Sequence, residues 1–542
     1  MLVAAPDEPF GVAADGPLLL RAAERALAVP CITIVVDPGD LTRADTHEQL
    51  TGIEEPRLEA LRRADELLGA LRSDLTHDDL LLVVSPTSPA ATPQVHFGVA
   101  VAVGQDFPAG TYLSSPSTRR AGMVTLPDIA PTVLEHHGVE RPASMLGRAM
   151  FVRSGADPTT VVQEQIDLDG EAVFIDQVRT PISTVFVVLQ VAVYLLVAFL
   201  LWRRESKGGV MPPAFHRWAA LGALVVVAFP VATYLGGFFE QHALGPLGFV
   251  ALLLGIDAIV VGVSLMTSRD PFDRLLVVTG FTCAVLLVDL ITGATLQVNT
   301  VFSYSPLVAG RFAGLGNIGY SVLAAATVIA AALIVHRADG SPRALAACAS
   351  LFTLVVIVDG APMFGADVGG ILALVPGLGI TWLLLAGRRP RVVTILWMIV
   401  GVVAATAAFL ALDLAQPEES RTHLARLFEN ARAGGFDVLV DIVKRKIETN
   451  LRVFRSTIWT YLVPPALGLI AWLLIAPSGR WERVAKLYPR LRAGLVACLV
   501  VALLGFALND SGIVVPAMML SFLAPLALLM HLSLEKGTPG TP

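Results

Sequence analysis

Between residues 181 and 533 the chain carries about eleven apolar runs of roughly twenty residues each, separated by mostly short polar loops. Few folds are open to such a sequence. Inside hydrocarbon every backbone N–H and C=O must be bonded within the protein, so only helices and closed barrels can span. Continuous apolar runs without strict alternation are helices. The spacing predicts spans near 181–202, 215–238, 244–266, 275–296, 317–336, 343–360, 368–387, 392–413, 457–476, 493–508 and 512–533. The average agrees: 55% of residues are hydrophobic, 15% are charged and the mean hydropathy is +0.69. A net charge of -6 excludes nucleic acid as the partner. Of four cysteines, Cys283, Cys348 and Cys498 fall in apolar runs and leave Cys31 alone, so neither a disulfide framework nor a metal site is expected. No cofactor is implied.

The short loops set the orientation. Arg203–Arg204, Arg269 and Arg274, Arg337 and Arg343, Arg388–Arg389 with Arg391, and Arg480, Arg483 and Lys486 fall on one side of the predicted bundle. By the positive-inside rule that side is cytoplasmic. The expectation is a multi-pass protein of the plasma (cytoplasmic) membrane, with residues before 179 outside and the tail from 535 inside.

Three polar stretches then converge on the outer side. Gln297–Tyr320 carries Asn299, Tyr304, Arg311 and Asn317 between two spans. Val358–Gly370 carries Asp359 and Asp367, and Leu508–Gly512 is a tight hairpin with Asn509 and Asp510. Asp289 lies in the outer half of its span. Charged and amide groups at this depth are costly unless they face protein or water, so they read as a site. The expectation is an outward-facing pocket. Asp367 and Asp289 are its candidate catalytic carboxylates. Arg311, Asn317, Asn299, Tyr304, Asp359, Asn509 and Asp510 are the candidate substrate contacts. The same residues also suit capped helix ends and turns, Arg311 can simply pair with an aspartate, and Asp257 can be a polar contact within the bundle.

Residues 414–456 read as two amphipathic helices split by Gly434–Gly435. Leu424, Leu427, Phe428 and Ala431 form one apolar stripe; Phe436, Leu439, Val440, Val443, Ile447, Leu451 and Phe454 form the other. Lys444, Arg445, Lys446 and Arg452, with Arg421, Arg426, Arg432 and Arg455, occupy the opposite faces. Such helices lie in the membrane interface with basic groups toward lipid phosphates. A lid packed on the front region is the other reading.

The first 155 residues alternate short apolar runs with charged helical stretches, the pattern of an α/β fold. Residues 31–36, 79–85 and 97–104 read as strands, and 55–74 as a helix. The string T-L-P-D-I-A-P-T-V-L-E-H-H-G-V (125–139), followed by M-L-G-R (145–148), resembles the C-terminal half of the alkaline phosphatase and sulfatase superfamily over residues 30–150. Active members end the strand matching 79–85 in a metal-binding Asp-His-Gly turn, where this chain has Ser85-Pro86-Thr87. His96 can be a surviving ligand or a structural histidine; His136 and His137 suit the end of a helix. The resemblance implies half of a phosphatase-like fold without its chemistry; for this region to lie outside, either a longer protein supplies an anchor helix and a catalytic half before it, or export relies on the first span. No signal peptide is visible at Met1.

Taken together, the chain resembles a family of large actinobacterial and Gram-positive membrane proteins that join an outer phosphatase-like domain to a multi-span region. The G-R-F-A-G-L-G-N run (310–317) carries that likeness, with Ile318 where relatives often place an acid. The resulting fold class is an α-helical polytopic bundle of about eleven spans behind an extracytoplasmic α/β domain (1–155), joined by a linker (156–178). Four functions follow from it. The first is envelope assembly on a lipid-linked anionic or sugar substrate such as a polyprenyl-phosphate glycan, acting as a glycosyl- or phosphoglycosyl-type transferase if it is an enzyme. The others are a lipid or polymer flippase, a non-catalytic scaffold in an envelope protein complex, and a phosphatase, which the missing ligands disfavour. Membrane lipids are the expected partners.

Overall fold

The structure is a computed structural model. It describes residues 1–536 apart from 90–91, 143–144, 208–212, 309–310, 418–420, 423, 426–427, 429–435, 476–478 and 510. Asp510, Gly310 and most of the first amphipathic segment, including Arg426, Leu427, Ala431, Arg432 and Gly434–Gly435, lie outside the described residues. The fold is mostly helical, at 68%. The chain packs as two compact units: residues 1–173 with 307–312, and residues 174–306 with 313–542.

The first unit contains strands β1 (Leu2–Ala4) and β2 (Val12–Ala14), helices α1 (Gly16–Leu27), α2 (Asp40–Thr51) and α3 (Glu55–Ser73), and strands β3 (Leu81–Val84), β4 (Ala100–Val103) and β5 (Thr111–Ser114). Helix α4 (Leu126–His136), strand β6 (Phe151–Ser154) and the start of α5 (Val161–Lys207) complete it. The strands form three separate antiparallel pairs, β1–β2, β3–β4 and β5–β6. The strands expected at 79–85 and 97–104 are therefore present as β3 and β4. The one expected at 31–36 is not. Cys31 is in the left-handed region (φ 56), Thr33 Oγ1 bonds His137 Nε2 at 3.0 Å, and Val35 is 88% exposed, so this apolar run finds no ladder partner. Most of the stretch expected to be a linker, 161–178, is instead the beginning of the 47-residue helix α5.

The D-I-A-P-T…G-R residues have a clear structural task. Asp128 is fully buried and accepts from Ser115 Oγ (2.8 Å), Ser117 Oγ (2.5 Å), Thr125 N (2.8 Å), Thr125 Oγ1 (2.7 Å) and Arg148 N (2.9 Å). It thus closes a capping box at the start of α4 and ties the 145–150 segment to it. Gly147 is required there, because a Cβ would stand 1.8 Å from Pro127 O. His96 Nδ1 pairs with Asp169 Oδ2 at 2.7 Å, and Phe97 N donates to Asp169 Oδ1 at 2.8 Å.

The second unit is the bundle. It comprises the rest of α5, then α6 (Pro213–Leu235), α7 (Gly245–Thr267), α8 (Pro271–Ile291), α9 (Asn317–Arg337), α10 (Pro342–Gly360), α11 (Val368–Leu385), α12 (Val392–Leu414), α13 (Phe436–Ser456), α14 (Val463–Ile475), α15 (Gly479–Leu487), α16 (Pro489–Leu508), α17 (Val514–Leu520) and α18 (Leu523–Lys536). Ten helices among the described residues are long and apolar enough to cross a membrane, and the chain is read as a multi-pass membrane protein. The run expected at 457–476 is the difference. It holds a shorter apolar helix, 458–472, that begins with a 3-10 stretch (Ile458–Leu462) before Pro464 and Pro465.

Prolines at the first turn and polar caps start these helices. Asp270 accepts from Phe272 N (2.7 Å) at α8, and Ser341 from Ala344 N (3.3 Å) at α10. Helix α9 is central, with 89% of its apolar window buried, while α12 is peripheral at 6%. Small residues let neighbours approach. A Cβ on Gly494 would stand 2.5 Å from Ala332, and one on Gly377 2.9 Å from Val501. Helices α8 and α10 end, and α9 and α11 begin, at the end of the bundle opposite the basic loops.

Candidate functional site

At that end the first turns of α9 and α11 meet the last turns of α10 and α16. Asp359 closes α10 and Asp367 stands at the N-cap of α11, joined by Asp367 N donating to Asp359 O at 3.0 Å. A side chain on Gly370 would put its Cβ 2.2 Å from Asp359 Oδ2 and 2.9 Å from Asp367 Oδ2. The two carboxylates therefore crowd the same spot, and glycine at 370 is what admits them. Asn509 caps α16 beside them, its Oδ1 3.4 Å from where a Cβ on Gly369 would be. From α9, the Tyr320 ring lies against Gly505 of α16, where a Cβ would stand 3.2 Å from its Cε1 and 3.5 Å from its Oη. None of this set is open to solvent: Asp359 and Tyr320 are 0% exposed, Asn509 1% and Asp367 4%. The expected open outward pocket is corrected to a buried polar cluster. Two carboxylates so close and so dry place a heavy electrostatic demand on their surroundings.

Helix α13 reaches this end through its polar edge. Lys446 Nζ donates to Leu508 O at 3.1 Å, Asn450 Nδ2 donates to Phe506 O at 3.4 Å, and Asn450 lines Gly512. Leu508 O in turn lies 3.3 Å from the Cβ position of Gly369, so the Lys446 ammonium is brought to the carboxylate end. Of the four basic residues expected to face lipid, Lys444, Arg445 and Arg452 are exposed, and Lys446 is half-buried against α16. Ile447, Leu451 and Phe454 are exposed.

No family profile, curated protein or solved structure matches the chain.

The other expected site residues divide into two groups. Asn317 belongs with the cluster: its Nδ2 donates to Ser511 Oγ, and its N donates to Tyr304 Oη at 3.0 Å. Tyr304 and Asn317 thus pin the 297–316 loop to the start of α9. Asp289 does not join Asp367. Its carboxylate accepts from Leu296 N (2.9 Å), Gln297 Nε2 (3.0 Å) and Thr295 Oγ1 (3.3 Å), which spends it on its own loop. Asn299 sits in the left-handed region (φ 55), and its carbonyl accepts from Gln241 Nε2 at 3.0 Å. Arg311 falls in the 307–312 segment, which packs with the first unit, where Arg120 Nε donates to Phe312 O at 2.6 Å.

Four residues matter that the sequence did not single out. Tyr320 was hidden as an aromatic inside an apolar run, although it stands one turn after Asn317. Arg179 donates through Nη2 to Thr300 O at 3.3 Å and braces the same loop. Gln297 orients Asp289. Buried Asp413 accepts from Thr422 N (2.8 Å), Thr422 Oγ1 (2.6 Å) and Ala425 N (2.9 Å), anchoring the chain after α12. Among the described residues no three His, Cys, Asp or Glu side chains converge as a metal centre.

Proposed function

We propose that this protein binds and acts on a lipid-linked anionic or sugar substrate at the outer leaflet of the plasma membrane, as part of cell-envelope assembly. The observation that carries the reading is the buried Asp359–Asp367 pair beside α13, an amphipathic helix tied down by Lys446 and Asn450. The exposed apolar residues of α13 suit acyl chains, and Lys444, Arg445, Arg452 and Arg455 suit lipid phosphates. In this reading Asp367 is the base for an acceptor hydroxyl in a glycosyl- or phosphoglycosyl-type transfer, with Asp359 tuning it. The positive-inside rule puts the basic loops in the cytoplasm and the cluster at the outer face. The first unit, like half of a phosphatase-superfamily domain in its sequence motifs, then serves as an extracytoplasmic binding module.

The occlusion of the pair favours a second reading, a lipid or polymer flippase that uses the same cluster without chemistry. Mass spectrometry of lipids co-purified with the full chain tests the substrate. A polyprenyl-phosphate or other lipid-linked glycan is expected with the parent protein and depleted in Asp367→Asn. Lipids indistinguishable from those carried by an unrelated multi-span protein overturn the proposal. If the lipid is held, turnover in vesicles separates transfer from flipping.

A further inference from the structure

An arginine on the buried face of a helix needs an acid or several acceptors to offset its charge. Arg179 has a single acceptor. On α5 it lies in line with Ile175, Ser183, Phe186 and Gln190, at intervals of three to four residues, and these four are 1%, 6%, 6% and 0% exposed. The side chain therefore turns into the bundle instead of snorkelling to the lipid surface. There Nη2 donates to Thr300 O at 3.3 Å, while Nε is shut off from solvent with no partner at all. Among the described residues no carboxylate pairs with the guanidinium. The acid one turn earlier, Asp176, is exposed and accepts from Ser305 Oγ at 3.4 Å. The Nη1 edge bonds nothing and, unlike Nε, is not sealed. We propose that Arg179 binds the phosphate group of a lipid between α5 and the 297–305 loop, and that in the working protein this is the phosphate of the lipid-linked substrate. The second half rests on the proposed function; the first does not.

The guanidinium fork matches phosphate oxygens two at a time, which a point charge does not. Depth selects phosphate among the oxyanions. Arg179 stands two residues before Pro181, where the apolar run of α5 opens, and so lies at headgroup level. The loop beside it carries the aromatic markers of that level. Tyr234 Oη donates to Phe302 O at 2.7 Å, and the Phe302 ring packs on Trp459 and Phe186 with centroids 5.8 and 5.3 Å apart. The loop that Arg179 holds at Thr300 is also the one that Tyr304 fixes to Asn317 at the start of α9. Arg311, the arginine expected to take a substrate phosphate, packs with the first unit, so within the bundle that task falls to Arg179.

The test is a titration of the purified full chain in neutral detergent, with thermal unfolding followed by tryptophan fluorescence. The probes are polyprenyl phosphate, the uncharged polyprenol of the same length, phosphatidylglycerol and inorganic phosphate. A ligand that binds only the folded state raises the midpoint saturably. Polyprenyl phosphate is expected to do so and polyprenol is not. Half-saturation should move on the order of tenfold or more in Arg179→Gln, which keeps an amide donor for Thr300 O and loses the charge. Arg179→Lys keeps the charge without the fork and should fall between. Arg72→Gln, on the exposed surface of α3, should titrate like the parent.

An arginine that only braces the loop gives another pattern. Arg179→Gln then lowers the midpoint equally at every lipid concentration and the rise survives, which overturns the proposal, as does an equal rise with polyprenol. Should Arg179→Gln fail to fold, Arg179→Lys decides, and an unchanged titration in that variant overturns it. Saturation by inorganic phosphate alone makes the ligand a free anion and also overturns it. Saturation by phosphatidylglycerol at the same concentration, with the same dependence on Arg179, keeps the phosphate seat and removes the lipid-linked substrate. No rise with any phosphate removes the seat and leaves the Asp359–Asp367 reading to the analysis of co-purified lipid.

Discussion

Gly370 is where the cluster is most sensitive to one atom. A Cβ there would collide with both carboxylates, whereas a Cβ on neighbouring Gly369 meets nothing nearer than 3.3 Å. Overpacking of a close contact typically costs about 1–3 kcal/mol. Gly370→Ala should therefore lower the unfolding midpoint clearly and Gly369→Ala much less, by thermal unfolding in detergent. Equal effects would mean that the carboxylates are not where the structure puts them. At this scale the sequence was informative about which groups matter. Asp359, Asp367, Asn317 and Asn509 stand out because each is polar at the end of an apolar run. It was silent on which acid pairs with which. Asp289 looks the same on paper, but the left-handed turn at Ala294 folds Leu296 and Gln297 back onto it. Tyr320 gave no signal because a phenol is at home in a span until its hydroxyl is found without a partner.

Helix α13 shows how periodicity gives a face but not its destination. The 3.6-residue pattern separates Ile447, Leu451 and Phe454 from the basic residues, and both groups are exposed. What docks the helix is the narrow polar edge between them, Lys446 and Asn450. Lys446→Met keeps the aliphatic stem and removes the donor. It should raise hydrogen exchange of amides 444–456 several-fold, while Lys444→Met leaves them unchanged. Unchanged exchange in Lys446→Met would show that the tether is not what holds the helix. Residues 31–36 carry the opposite lesson. Their β-branched run reads as a strand, but a strand needs a neighbour, and no other segment among the described residues pairs with it. The interrupted run at 457–476 was legible in principle, since Pro464 and Pro465 mark where its α-helix can begin.

Over the whole molecule, the presence of the spans follows from hydropathy, because each is an independent consequence of bilayer thickness, and ten helices long and apolar enough to cross stand among the described residues where about eleven runs were expected. What those rules leave open is which helix is central. Helix α9 and the 514–533 stretch are the two most buried, α9 because its alanines and Gly319 are small enough to be surrounded on all sides, and the first turn of α9 is where the polar loops gather. We propose that lipid-linked substrate is handled at this gathering point. Photo-crosslinking with a diazirine-bearing polyprenyl phosphate in vesicles, followed by peptide mapping, tests it most directly. Adducts are predicted on 444–456 and 505–511, suppressed by excess unlabelled polyprenyl phosphate and reduced in Asp367→Asn. Adducts spread along the lipid-facing surface of α12 (392–414), indifferent to competitor and to Asp367, would contradict it.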